Sequence, residues 1–182
     1  MRIAAVLFFC FFISNSVWAG DYSAVIKRIE TERITDHYVI NGDIVYKLSP
    51  IIKEALKKGI SMTWTINMKV EREGLLWDSL VTELSLGYQI QNHALLNLYS
   101  VKNLHADEKN VFSTLAGAID YISRIRSLFI TDASLIQDDQ RYHVAVKVSF
   151  EHEALPVPIR PFSYFDSQWA LSSDWTLWPL QN

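Results

Sequence analysis

The sequence predicts a β-rich α+β fold, a twisted antiparallel sheet or sandwich of about seven strands with two helices packed on it. The main observation is the stretch 60–71, in which apolar residues occupy every even position and polar residues every odd one. Successive side chains of a strand point to opposite faces, so this pattern indicates a long strand with one buried face. The other two observations are several further alternating stretches and two short segments with helical spacing and capping residues.

Residues 1–19 have the order of a secretory signal peptide. Arg2 is followed by an apolar run over residues 3–13, then by polar residues and by small residues before a cleavage point after Ala19. This run is shorter than the roughly 20 residues of a membrane-spanning helix. We therefore predict export to the periplasm, a single globular domain over residues 20–182, and membrane contact only through the uncleaved precursor.

Composition excludes several classes of protein. The single cysteine, Cys10, lies in the predicted signal peptide, so the exported chain has no disulfide and no thiolate. The whole chain has 17 basic and 20 acidic residues; without Arg2, 16 basic residues remain and the net charge is −4. A mildly acidic chain with interspersed charges argues against nucleic-acid binding, which depends on neutralising phosphates.

The first half of the chain reads as two strands, a helix and a meander. Residues 22–33 alternate imperfectly, which is typical of an edge strand or a bulge. Residues 37–48 form a second strand that Gly42 interrupts, at a bulge or a close backbone approach. Ser49 and Pro50 then begin a helix that ends before Gly59. The long strand 60–71 follows as the centre of the sheet, and 80–91 and 95–101 complete the meander.

In the second half, Ser113 or Thr114 begins a helix that we expect to extend to about Arg126. A short strand at Phe129 and Ile130 and a clear strand over residues 142–150 follow. The remaining chain, with prolines near residue 156, has an aromatic tail over residues 162–180.

Motifs for catalysis or cofactor binding are absent from the sequence. No two of the five histidines have the spacing of a metal pair, and the six glycines form neither a dinucleotide fingerprint nor a phosphate loop. No serine lies in a nucleophile elbow. Adjacent acids such as Asp138 and Asp139 are interpreted as a solvated loop. The sequence therefore predicts no catalytic residue, no cofactor and no metal ligand.

A candidate interaction surface comprises Trp169, Trp175, Trp178, Arg124 and Arg126. Tryptophan is enriched at binding hot spots, but these rings could instead wrap the sheet and complete the core, which is the interpretation we favour. The two arginines could bind an anion near a helix end. We favour a solvated flank that offsets the dipole at the C-terminus of the predicted helix.

Several short motifs together resemble one protein family. They are Leu-Ser-Pro at 48–50, Lys-Lys-Gly-Ile at 57–60, Phe-Ser-Thr-Leu at 112–115, Ser-Arg-Ile-Arg at 123–126, Leu-Pro-Val-Pro at 155–158 and Leu-Ser-Ser-Asp-Trp-Thr-Leu-Trp at 171–178. This order resembles the domain-of-unknown-function family 4390, small exported proteins of Gram-negative bacteria. The resemblance implies no activity and no catalytic residue. It also implies a link to a membrane sensor kinase of the nitrogen-regulation type.

We therefore expect a non-enzymatic interaction module of the periplasm that binds an envelope protein partner. The alternative is a small-ligand binder, for a lipid, a sugar or a peptide, with a cavity lined by Met62, Trp64 and Trp77. A hydrolase is a third hypothesis, and it would require buried polar groups that converge in a cleft.

Overall fold

The computed structural model describes residues 22–181, which form a sandwich of two antiparallel sheets with three α-helices. The predicted β-rich α+β class is confirmed, although this range contains nine strands rather than about seven. The predicted signal peptide lies outside the described residues. Over residues 22–181 no helix has both the length and the apolar character needed to cross a membrane.

Nine strands and three α-helices follow one another over residues 22–181. In that order they are β1 (Ser23–Ile34), β2 (His37–Lys47), α1 (Pro50–Lys57), β3 (Met62–Arg72), β4 (Ser79–His93), β5 (Leu98–Asn103), β6 (Glu108–Phe112), α2 (Leu115–Ile122), β7 (Arg124–Asp132), β8 (Tyr142–Phe150), α3 (Arg160–Phe165) and β9 (Thr176–Pro179).

One sheet has three strands in the order β1-β2-β7. The imperfect alternation of β1 reflects both predicted causes, because β1 is an edge strand and its register shifts between Ile26 and Arg28. The close approach predicted at Gly42 is also confirmed. A Cβ atom there would lie 2.7 Å from Cδ1 of Ile29 on the neighbouring strand, so a larger residue would force the Ile29 side chain to move.

The other sheet has six strands in the order β6-β5-β4-β3-β8-β9. As predicted, β3 lies inside this sheet and the meander β3-β4-β5 leaves from it. The even residues of β3 are buried against the three-stranded sheet, so its apolar face is core. The predicted strand 95–101 begins later than expected, because a 3₁₀ turn over Ala94–Leu96 precedes β5. Strand β6 was not predicted.

The first predicted helix is confirmed by its caps, and the second is shorter than predicted. The Ser49 hydroxyl accepts a hydrogen bond from the backbone N–H of Ile52, and Gly59 has a left-handed φ of 82° just after α1. Thr114 caps α2 through the N–H of Gly117. The expected extension of this helix to residue 126 is wrong, because α2 ends at Ile122 and the chain turns directly into β7.

The two sheets meet differently at their two sides. At one side, β1 lies against β8 and β9. At the other, β7 lies against β4, so β5 and β6 extend beyond the three-stranded sheet and α2 covers them. We call these the closed side and the open side of the sandwich.

Candidate functional site

A cleft of about 400 Å³ lies at the open side. Its lining comes from β4, the end of β6, α2 and β7, and comprises Leu86, Tyr88, Phe112, Gly117, Asp120, Tyr121, Arg124, Ile125, Arg126 and Leu128. The cleft therefore combines a wall of aromatic and aliphatic side chains with charged groups from the α2–β7 connection. Its volume is within the range of small-molecule and peptide pockets.

Three aromatic rings form the wall of the cleft. The ring of Tyr121 lies edge-on to Tyr88, with centroids 6.2 Å apart, and 5.4 Å from Phe112. The Asn110 side-chain amide donates a hydrogen bond of 3.0 Å to the Tyr121 hydroxyl. Burial raises the pKa of Tyr88, and the neighbouring Tyr121 and Glu108 add to the rise. The Tyr88 phenol, like any tyrosine at neutral pH, can donate a hydrogen bond.

The two predicted arginines border this cleft. Arg124 contacts Asp120 at 2.5 Å, and Arg126 donates to Asp43 at 2.7 Å and to the Gly42 carbonyl at 2.8 Å. Both lie on β7 rather than within the predicted helix, and Arg124 follows the end of α2 by two residues. About half of each side chain is exposed. The guanidinium groups are thus held in place beside the cleft while part of each remains open to solvent.

The three predicted tryptophans do not form one surface. Trp169 is only 3% exposed and packs 6.2 Å from Phe150, while Trp178 is half-buried against the core. Trp175 is 42% exposed on the outer face of the six-stranded sheet, where the ammonium groups of Lys69 and Lys147 lie 5.2 Å and 6.0 Å from its ring. Two of the three therefore serve the core, as favoured, and only Trp175 is available to a partner.

The structure brings Arg124 and Arg126 together with residues that sequence reasoning missed. Tyr88, Tyr121 and Leu128 come from three different elements, β4, α2 and β7. No local signal marked them, because the cleft exists only where one sheet extends past the other.

The predicted cavity lined by Met62, Trp64 and Trp77 is wrong. Met62 and Trp64 are fully buried in the core, whereas Trp77 is 76% exposed in the β3–β4 loop. Trp64 packs 5.6 Å from Tyr46 and 5.4 Å from Phe150. These rings fill the space that the ligand would have needed.

A second hollow, of about 480 Å³, lies between α1, α2 and the end of β2. It is mainly apolar, and Tyr46 contributes to its lining. Within the described part of the chain, the Tyr46 hydroxyl and the Trp64 indole nitrogen are buried without a hydrogen-bond partner. Burial also raises the pKa of Tyr46. Two donors without acceptors are unusual in a folded core.

A polar cluster lies at the far end of the six-stranded sheet. The His143 Nε2 atom is 3.1 Å from Oε2 of Glu71 and 3.7 Å from Oδ2 of Asp78. The three ligand atoms lie within 4.8 Å of one another, so within residues 22–181 this cluster could hold a metal ion. Glu71 and His143 are directly opposite each other on β3 and β8, while Asp78 comes from the loop before β4.

That loop has an exposed apolar tip. Leu75, Leu76 and Trp77 are all largely accessible to solvent between Gly74 and Asp78. The Gly74 N–H donates to Oδ1 of Asp78 and closes the loop at its base.

Comparison with known proteins yields one family match. The family model described as "Domain of unknown function (DUF4390)" matches residues 21–179 of the 182-residue chain. No curated protein and no solved structure matches the chain.

Proposed function

The chain belongs to the DUF4390 family of domains of unknown function, and from this premise we propose that it is an exported interaction module of the cell envelope. It binds an extended segment of an envelope protein partner in the cleft at the open side. The observation that carries this proposal is a cleft, lined by aromatic rings and arginines, that lies next to two sheet edges.

The backbone at the cleft supports an extended partner. Over residues 22–181, β6 pairs only with β5 and β7 pairs only with β2, so each strand has one unpaired edge. An extended segment can add to such an edge through main-chain hydrogen bonds. Its side chains on one face would then enter the cleft.

The side chains indicate the chemistry of the partner segment. Tyr88, Phe112 and Tyr121 provide flat apolar surfaces, which suit aliphatic or aromatic side chains of the partner. Arg124 uses one Nη atom for Asp120, and the rest of its guanidinium can bind a carboxylate at the mouth. Tyrosine and arginine are also the residue types enriched at binding hot spots. The segment is therefore apolar with a flanking acidic residue.

Export places this module where such a partner would be found. The signal-peptide pattern at residues 1–19 directs the chain to the periplasm. The partner is accordingly an envelope protein with a segment on the periplasmic side. The membrane sensor kinase suggested by the family resemblance is the first protein to test.

Site-specific photo-cross-linking in intact cells tests this proposal. A benzophenone amino acid replaces Tyr121 in the cleft and, as a matched aromatic control, Trp175 on the outer sheet face. We expect one adduct of defined size from position 121 and none from position 175, because only the first lies in the cleft.

A second variant separates specific binding from chance contact. Leu128→Asp places a charge in the apolar wall and should abolish the adduct at position 121 while circular dichroism remains unchanged. Equal cross-linking from both positions, or an adduct that survives Leu128→Asp, would overturn the proposal. The absence of any adduct in cells that express the sensor kinase would exclude that protein as the partner.

Small-ligand binding is the second candidate function, and the unpartnered Tyr46 hydroxyl favours it. A ligand with an apolar body and a hydrogen-bond acceptor would fill the hollow beside α1 and α2, and the Tyr46 side chain would have to turn for its buried hydroxyl to reach that acceptor. Native mass spectrometry of protein purified from the cell envelope would show the bound ligand as an added mass. Ala116→Trp, which narrows the hollow from its rim, should remove that mass.

A further inference from the structure

We infer that Glu71, Asp78 and His143 bind a divalent transition-metal ion at the end of the six-stranded sheet. This site is separate from the cleft, since none of its three residues lines it. Glu71 at the end of β3 and Asp78 in the next loop are close in sequence, whereas His143 on β8 is distant from both. Sequence spacing could not reveal the site for that reason.

The distances within the cluster fit a metal ion. Nitrogen and oxygen ligands of zinc lie at about 2.0–2.2 Å from the ion, so two ligand atoms of a tetrahedral site are about 3.3–3.5 Å apart. The His143 Nε2 atom is 3.1 Å and 3.7 Å from the two carboxylate oxygens. An ion can therefore bind between them with only small movements of the side chains.

The charges of the cluster also favour a cation. A neutral imidazole has one N–H, which can satisfy one of the two carboxylates that approach Nε2. Protonated His143 would supply one positive charge against two negative ones. Across the described residues, no lysine or arginine pairs with either carboxylate, and Arg141 nearby contacts Glu73 instead. A divalent cation balances the cluster.

The surrounding structure orients each ligand before any ion binds. The pairing of β3 with β8 holds Glu71 opposite His143, whose side chain is only 9% exposed. The Gly74 N–H binds Oδ1 of Asp78 and leaves Oδ2 directed at His143. Outer hydrogen bonds of this kind commonly fix metal ligands.

The ligand set selects the class of metal. An imidazole nitrogen with two carboxylates suits zinc, manganese or iron, whereas calcium and magnesium prefer sites made only of oxygen. Three protein ligands leave a coordination position for water or for a group from outside. Asp78 is partly exposed, so solvent reaches that position.

The metal would also fasten the loop with the exposed apolar tip. Asp78 directly follows Leu75, Leu76 and Trp77, and binding of Asp78 to an ion on β3 and β8 ties the loop to the sheet. Trp77 is thus positioned to report ion binding through its fluorescence.

Zinc titration of the mature protein, after treatment with a chelator, tests the site. Calorimetry should show one Zn²⁺ ion per chain, with micromolar or tighter affinity. His143→Asn and Asp78→Asn should each weaken this binding by at least about 100-fold, because each removes one of three ligands. Glu73→Gln in the same loop is the matched control and should bind Zn²⁺ as the unaltered protein does.

Two further measurements distinguish the loss of a metal ligand from a folding defect in the variants. Zn²⁺ should raise the Tm of the unaltered protein and of Glu73→Gln but not that of Asp78→Asn, whose substitution lies in an exposed loop. Co²⁺ should give the visible absorption of a low-coordinate site, and His143→Asn should abolish it. Failure to bind Zn²⁺ at micromolar concentration, or equal binding by Asp78→Asn, would overturn the inference.

Discussion

The closed and open sides of the sandwich differ in how the edges of their strands are covered. At the closed side, residues 166–181 run along the edge of β8 and join the two sheets. Ser172 and Ser173 accept hydrogen bonds from the N–H groups of Phe150 and Val148, and the N–H of Gln181 binds the Thr31 hydroxyl on β1. At the open side, the sheets share a hydroxyl contact of 2.8 Å between Thr82 and Thr131, and the cleft lies beyond it.

The two sides differ in how far their strand edges are covered. At the closed side the tail pairs with β8 and buries Trp169 and Leu171 in the core, while β1 and β9 each keep one unpaired edge. The open side leaves two strand edges unpaired beside aromatic rings. Glu108 and Lys109 lie on β6, and Arg124 and Arg126 lie on β7, so a segment that added to either edge would meet charged side chains.

The largest expected effect comes from removing a buried ring of the closed side. Trp169→Ala should lower the free energy of unfolding by about 3–5 kcal/mol, because it leaves a large cavity against Phe150. Trp175→Ala is the control and should cost at most about 1 kcal/mol, the value of an exposed cation–π contact. Chemical denaturation measures both. Equal losses would show that the tail is not divided between core and surface.

A smaller effect is expected from the serine that covers the edge of β8. Ser172→Ala should lower the free energy of unfolding by about 1–2 kcal/mol, since the Phe150 N–H loses its partner. Ser172→Thr keeps the hydroxyl and serves as the control in the same denaturation experiment. If both variants were as stable as the unaltered protein, water would be an adequate substitute at this edge.

The smallest effect should come from removing one hydroxyl at the open side. Tyr121→Phe deletes the acceptor for an exposed Asn110 and should change the free energy of unfolding by no more than about 0.5 kcal/mol. At the closed side, the matched change Thr31→Val should cost about 1 kcal/mol, since Thr31 is buried and binds the Gln181 N–H. Thermal unfolding would compare the two variants, and a larger loss in Tyr121→Phe would contradict the comparison.

Much of the fold followed from local pattern. The alternation over 60–71 predicted the long strand inside the sheet, and Ser49, Gly59 and Thr114 marked the helix boundaries through their caps. Strand β6 was missed because its five residues combine charged, polar and apolar side chains without a clear alternation. Arg124 and Arg126 were placed on a helix because the apolar spacing of α2 continues through Ile125, whereas pairing with β2 takes these residues into a strand.

The candidate site was predicted far less well. Arg124 and Arg126 were identified without the aromatic residues that make the cleft, and the three tail tryptophans were grouped although they face different surroundings. His143 and Glu71 each lie in an alternating strand, and neither is part of a recognisable metal-binding motif. Only the pairing of β3 with β8 makes them neighbours.

The sequence by itself determined the periodic structure of this protein: which residues face the core, where helices begin, and where glycine must lie. Those features depend on steric and capping interactions among residues a few positions apart. Tertiary structure alone decided which strand edge is covered, where the cleft opens and which polar groups converge on His143. Each of these depends on the register and overlap of strands far apart in the chain, and no local pattern carries that information.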